Sequence, residues 1–87
     1  MKAKVIGSHL CPDTLWAINQ LAEANIETDF KDILSCHADL KQYLKLRETS
    51  EAYAEIHGTD RLGLPCFICE DGTITFDIKI VLNKKSN

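Results

Sequence analysis

Four cysteines, at positions 11, 36, 66 and 69, and three histidines, at 9, 37 and 57, carry most of the chemistry that this sequence can do. A thiol is a nucleophile, a metal ligand or half of a disulfide, and its surroundings decide which. Cys11 has the most informative setting. It follows a small turn, Gly7-Ser8-His9-Leu10, that ends a strand-like run around Val5 and Ile6, and it precedes Pro12, a residue well suited to begin a helix. A cysteine at the mouth of a helix faces unsatisfied backbone N–H groups and the positive end of the helix dipole, and both favour thiolate over thiol. Thr14, three residues on, can turn its hydroxyl back and donate to that thiolate, while the Asp13 carboxylate opposes it by charge. His9 can act as a proton relay or cationic neighbour, or be an ordinary turn residue.

The other cysteines read differently. Cys66 and Cys69 form a Cys-x-x-Cys pair and, with Cys36-His37, a conceivable zinc set, but residues 66 and 69 of one strand point to opposite faces. Buried strand thiols are the better reading, and no metal is expected. Cys66 directly follows Pro65 and is the first candidate for a thiol that could resolve a mixed disulfide on Cys11, with Cys36 second. Trp16 falls off the helical face defined by Ile18, Leu21 and Ala22, so it packs at the edge of the core or marks a partner surface.

The elements that must position these groups follow from periodicity. Lys2 to Gly7 reads as a strand, Asp13 to Ala24 as a helix stopped near Asn25, and Ile26 to Leu34 alternates as a strand with one buried face. Ser35 offers an N-cap or a turn before helical structure from about Ala38 to Ile56, interrupted near Glu48 to Ser50. After a loop from Gly58 to Gly63, Leu64-Pro65 leads into the apolar run Cys66 to Cys69, and Asp71-Gly72 separates it from Thr73 to Phe76 as a hairpin. Asp77 to Asn83 fits a short helix or a strand. The expected fold is α/β, a four-stranded mixed sheet of thioredoxin type in the order β-α-β-α-β-β with a short C-terminal helix as an option.

Eighty-seven residues, 45% apolar and 26% charged, suit one compact domain, and the net charge of -3 provides no field for nucleic acid. No stretch approaches the roughly 20 apolar residues of a membrane span, and the chain opens on strand-like sequence without a secretion signal. A cytoplasmic protein with reduced thiols, monomeric or weakly dimeric, is expected.

Cys11-Pro12-Asp13-Thr14 after a first strand, with Leu64-Pro65 before a terminal hairpin, resembles the glutaredoxin family over essentially the whole chain, most closely the small bacterial glutaredoxin-related proteins. The resemblance implies a cis bond before Pro65, substrate main chain pairing with Leu64, and thiol-disulfide exchange on Cys11. Three departures stand out. Thr14 replaces the second cysteine of dithiol members, so Cys11 cannot close a disulfide across the motif and the monothiol route remains. The lysine before the active cysteine and the Gly-Gly pair after the last strand, which hold the carboxylates of glutathione in that family, are absent. Arg61 and the Lys41 to Arg47 stretch offer other cations. The expected function is thus a monothiol oxidoreductase acting on a thiol or disulfide, including one borne by a protein, with no cofactor; the missing contacts argue against glutathione and leave the natural substrate open. The alternatives are a non-catalytic binding module on the same fold and, with Pro12 against it, an iron-sulfur cluster carrier.

Overall fold

A computed structural model describes residues 1–86. Its elements are β1 (Lys2–Gly7), α1 (Pro12–Glu23), β2 (Glu27–Asp32), α2 (His37–Thr49), a 3-10 turn (Glu51–Tyr53), β3 (Cys66–Cys69), β4 (Ile74–Thr75) and α3 (Ile78–Ser86). The four strands form one mixed sheet in the order β2-β1-β3-β4. β1 runs parallel to β2 and antiparallel to β3, so Val5 lies between Phe30 and Phe67, and β3 pairs antiparallel with β4.

Strand alternation divides the core into two layers. Ala3 and Val5 of β1 with Phe67 and Cys69 of β3 face α1 and α3, where Ala17, Leu21 and Val81 close the cluster. Ile6 and Cys66 point to the other side, against Tyr43 of α2, Tyr53 and Ile56. Cys66 and Cys69 therefore occupy opposite faces, as expected of residues three apart in a strand.

Several boundaries differ from the sequence reading for local reasons. The second strand is shorter than Ile26 to Leu34 and lies at the sheet edge, so Thr28 and Phe30 are only half-buried while Ile26, just before it, is buried. Of the two roles open to Ser35 the structure takes the turn, its hydroxyl donating to the Asp32 carbonyl at 2.9 Å, while Cys36 is the N-cap of α2. The interruption near Ser50 is real, and the Ser50 hydroxyl accepts the Ala52 N–H at 3.2 Å to start the 3-10 turn. The closing segment is a helix. The Asp77 carboxylate accepts the Lys79 N–H at 2.9 Å, and Ile78, Val81 and Leu82, spaced for a helix, turn toward the first core layer. Lys84 of α3 pairs with Asp71 of the hairpin at 2.7 Å. Among the described residues no helix is long and apolar enough to cross a membrane.

Candidate active site

Cys11 is the N-cap residue of α1, with extended backbone and its N–H bonded to the Ser8 carbonyl at 3.0 Å. Pro12 occupies the first helical turn, where its missing N–H costs no intrahelical bond. The Cys11 side chain makes no capping hydrogen bond and is partly exposed. Thr14 is fully buried beneath it, and its hydroxyl accepts the Ser8 N–H at 3.4 Å, which braces the turn that carries Cys11. That packing requires Gly7: a side-chain carbon there would come within 2.5 Å of Thr14 Cγ2 and Oγ1.

Cys11 opens into a cleft of about 770 Å³ whose wall is built from distant parts of the chain. Asp13 and Trp16 come from α1; Arg61, Leu62, Gly63, Leu64 and Pro65 come from the loop before β3; Phe76 and Ile78 come from the junction of β4 and α3. The Leu64–Pro65 peptide bond is cis. Leu64 is partly exposed, and among the described residues its N–H and C=O make no hydrogen bond, which leaves a short free main-chain edge in the cleft that holds Cys11. Trp16 is half-exposed and lines this cleft, so it lies at a surface and not in the core.

The loop before Pro65 is held by groups whose roles the sequence does not advertise. Tyr43 donates its hydroxyl hydrogen to the Leu62 carbonyl at 2.5 Å, and Tyr53 donates to the Gly63 carbonyl at 2.8 Å. The two rings meet edge to face at 6.2 Å, and Tyr53 also meets Phe76 edge to face at 4.9 Å. Arg47 donates from one guanidinium nitrogen to the Thr59 carbonyl at 3.2 Å and the Arg61 carbonyl at 3.1 Å, and the His57 ring bonds the Arg47 carbonyl. The polar ends of Tyr43, Tyr53 and Arg47 thus converge on one loop.

Gly63 adopts φ +70, and a side-chain carbon there would sit 2.5 Å from the Tyr53 ring. Gly63→Ala should therefore cost about 1–3 kcal/mol, since left-handed backbone strain and overpacking act together. Urea unfolding measures this, and a midpoint equal to that of the unmodified protein would contradict it.

His9 does not line the cleft. Its Nδ1 lies 2.6 Å from Asp32 Oδ2, joining the turn before Cys11 to the end of β2. The other Asp32 oxygen accepts the Leu34 N–H at 3.0 Å. Desolvation pushes the Asp32 carboxyl up, but the Leu34 N–H and the contacts with His9 outweigh it and hold the group below its ordinary value. A lowered folded-state pKa means a contribution to stability that is present above the ordinary carboxylate range and is lost as pH falls through the folded value. Asp32→Asn should therefore flatten the acid limb of the stability curve. Unfolding free energies measured from neutral pH into the acid range test this, and an unaltered acid limb would count against it.

The two candidate resolving thiols are elsewhere. Cys66 is fully buried in the second core layer, and burial pushes its thiol up, an effect that the neighbouring Tyr53 hydroxyl only partly offsets. Cys36 is exposed at the start of α2, in a shallow hollow with Ile33, Leu34 and Leu40 that is separate from the Cys11 cleft. Burial likewise pushes Cys69 up, with Asp71 adding to it. The described residues contain no group of three or more histidine, cysteine, aspartate or glutamate side chains placed to hold a metal ion.

No protein-family model matches the chain, and no solved structure matches it. The chain is similar to an uncharacterized protein of Haemophilus influenzae, 26% identical over 68 residues that cover 78% of this chain and 79% of the relative.

Proposed function

We propose that the chain is a glutaredoxin-like thiol-disulfide oxidoreductase of thioredoxin-type fold that works through a mixed disulfide on Cys11. The observation that carries the reading is the convergence of Cys11 and the free main-chain edge of Leu64, more than fifty residues apart, on one cleft. Support also comes from the element order and the mixed sheet, in which a helix started by Pro12 follows the central strand β1 and a Leu64–Pro65 step precedes β3.

In this reading the attacking sulfur stands at the positive end of the α1 dipole. Substrate main chain lies extended along Leu64, which supplies one donor and one acceptor, so that the disulfide is presented to Cys11 as a strand partner would be. The Cys11 sulfur attacks one sulfur of the disulfide, forms a new S–S bond to it and displaces the other as a thiolate. Thr14 cannot resolve this adduct, and neither Cys66 nor Cys36 lines the cleft, so an external thiol attacks the substrate sulfur and returns Cys11 to its reduced form. Turnover of a small mixed disulfide in the presence of excess thiol tests the proposal. Activity must be measurable with the intact protein and must depend on Cys11.

A further inference from the structure

We infer that the preferred substrate is a cysteine within a polypeptide, flanked by apolar residues and without net negative charge, in preference to glutathione. This rests on the thiol-disulfide reading of Cys11 and adds the substrate class. Two features of the cleft carry it.

The first is its rim. Leu10 is 71% exposed, Leu62 59%, Trp16 54% and Phe76 38%, and all four line the cleft around Cys11 and Pro65. Large apolar side chains held in water beside a reactive group gain free energy when a ligand covers them. Glutathione offers them little. Its cysteine is flanked by a γ-linked glutamate and a glycine, with a carboxylate at each end and no large apolar side chain. An extended peptide places apolar neighbours of its cysteine against this rim while its backbone pairs with Leu64.

The second is charge. Arg61 is the one cation among the described lining residues, and Asp13 faces the same cleft. The N-terminal ends of the two helices that border it are already served by carboxylates. Asp13 lies in the first turn of α1, and Asp77, between the lining residues Phe76 and Ile78, caps α3 through the Lys79 N–H at 2.9 Å. A ligand with two carboxylates would meet these two aspartates where a helix dipole could otherwise attract it. A neutral or basic peptide meets no such repulsion.

The chemistry balances as disulfide exchange with an external thiol as co-reactant. The Cys11 thiolate attacks the peptide sulfur, the Cys11–peptide S–S bond forms, the original S–S bond breaks, and the leaving thiolate departs with the electron pair. A small monothiol then attacks the peptide sulfur, forming a peptide–thiol disulfide and restoring the Cys11 thiolate.

The test compares two substrates that share one chromogenic aryl thiol, joined by a disulfide either to glutathione or to a blocked tripeptide of leucine, cysteine and phenylalanine. The peptide should be used with kcat/KM at least about tenfold higher, since rim contacts and charge both favour it. Trp16→Ala should lower the peptide rate more than the glutathione rate. The double variant Asp13→Asn, Asp77→Asn should raise the glutathione rate and narrow the gap. Equal or faster use of glutathione by the unmodified protein would overturn the substrate class while leaving the role of Cys11 in place. Release from neither substrate would overturn both.

Discussion

Cys11→Ser is expected to reduce the turnover of a mixed-disulfide substrate by at least about a thousandfold, a loss of roughly 4 kcal/mol of transition-state stabilisation. Serine preserves size and leaves the fold intact, because Cys11 is partly exposed and its side chain makes no capping bond that the change would remove. What it removes is the nucleophile. A hydroxyl at neutral pH is almost wholly protonated, and sulfur–oxygen exchange with a disulfide has no low-barrier route. The other thiols offer no substitute: Cys66 and Cys69 are buried, and burial pushes both up, away from the reactive thiolate form. Cys36 is exposed but stands in a different hollow, away from the free edge of Leu64. Steady-state rates for the two proteins give the answer, and a Cys11→Ser variant with activity within tenfold of the parent would remove Cys11 from the mechanism.

The second large effect concerns Tyr53, fully buried in the second core layer. Tyr53→Ala should destabilise the protein by about 3–5 kcal/mol, the usual cost of deleting a buried aromatic ring. The ring makes edge-to-face contacts with both Tyr43 and Phe76, so its loss undermines α2 packing and the β4 end of the cleft together. For a domain of this size that is a large share of the total stability. Tyr53→Phe separates packing from positioning. It keeps the ring but removes the donor to the Gly63 carbonyl, at a cost of about 1–2 kcal/mol. It should also weaken substrate use, raising KM more than it lowers kcat, because Gly63 directly precedes the main-chain edge of Leu64. Denaturant titration and steady-state kinetics on both variants test this. A Tyr53→Phe protein with unchanged stability and unchanged KM would refute the positioning role.

Much of this arrangement is legible in the chain itself. Cys11 at the start of a helix follows from Pro12 and the apolar spacing of Leu15, Ile18, Leu21 and Ala22, because a local capping signal and a local periodicity agree. The hairpin after β3 follows from Asp71-Gly72, whose Gly72 takes φ +91. The last helix is ambiguous from pattern alone, since Ile78, Ile80 and Leu82 alternate as strand residues do. The decision comes from the Asp77 cap and from Val81, which is buried while Ile80 is exposed.

The site is less legible than the fold. Residue type and position identify Cys11 as a candidate, the family resemblance adds Leu64 and Pro65, and all three line one cleft. The partners of Thr14 and His9 depend on side-chain direction: Thr14 turns to the Ser8 N–H, and His9 turns to Asp32 across the tops of two strands. Cys66 illustrates the same limit. Adjacency to Pro65 in sequence places it one strand position away, but alternation sends its side chain through the sheet to the face opposite Phe67, which does line the cleft. Tyr43, Tyr53 and Arg47 act through carbonyls ten to nineteen residues away, and no local pattern encodes such pairings.

Whether Cys11 is the thiol that engages a disulfide is decided by mass spectrometric peptide mapping after exposure of the reduced protein to one equivalent of a small disulfide. The expected result is a mixed disulfide on Cys11 that persists until external thiol is added, with Cys66 and Cys69 unmodified. An adduct found on Cys36 while Cys11 stays free, or no adduct on Cys11 at all, would contradict it.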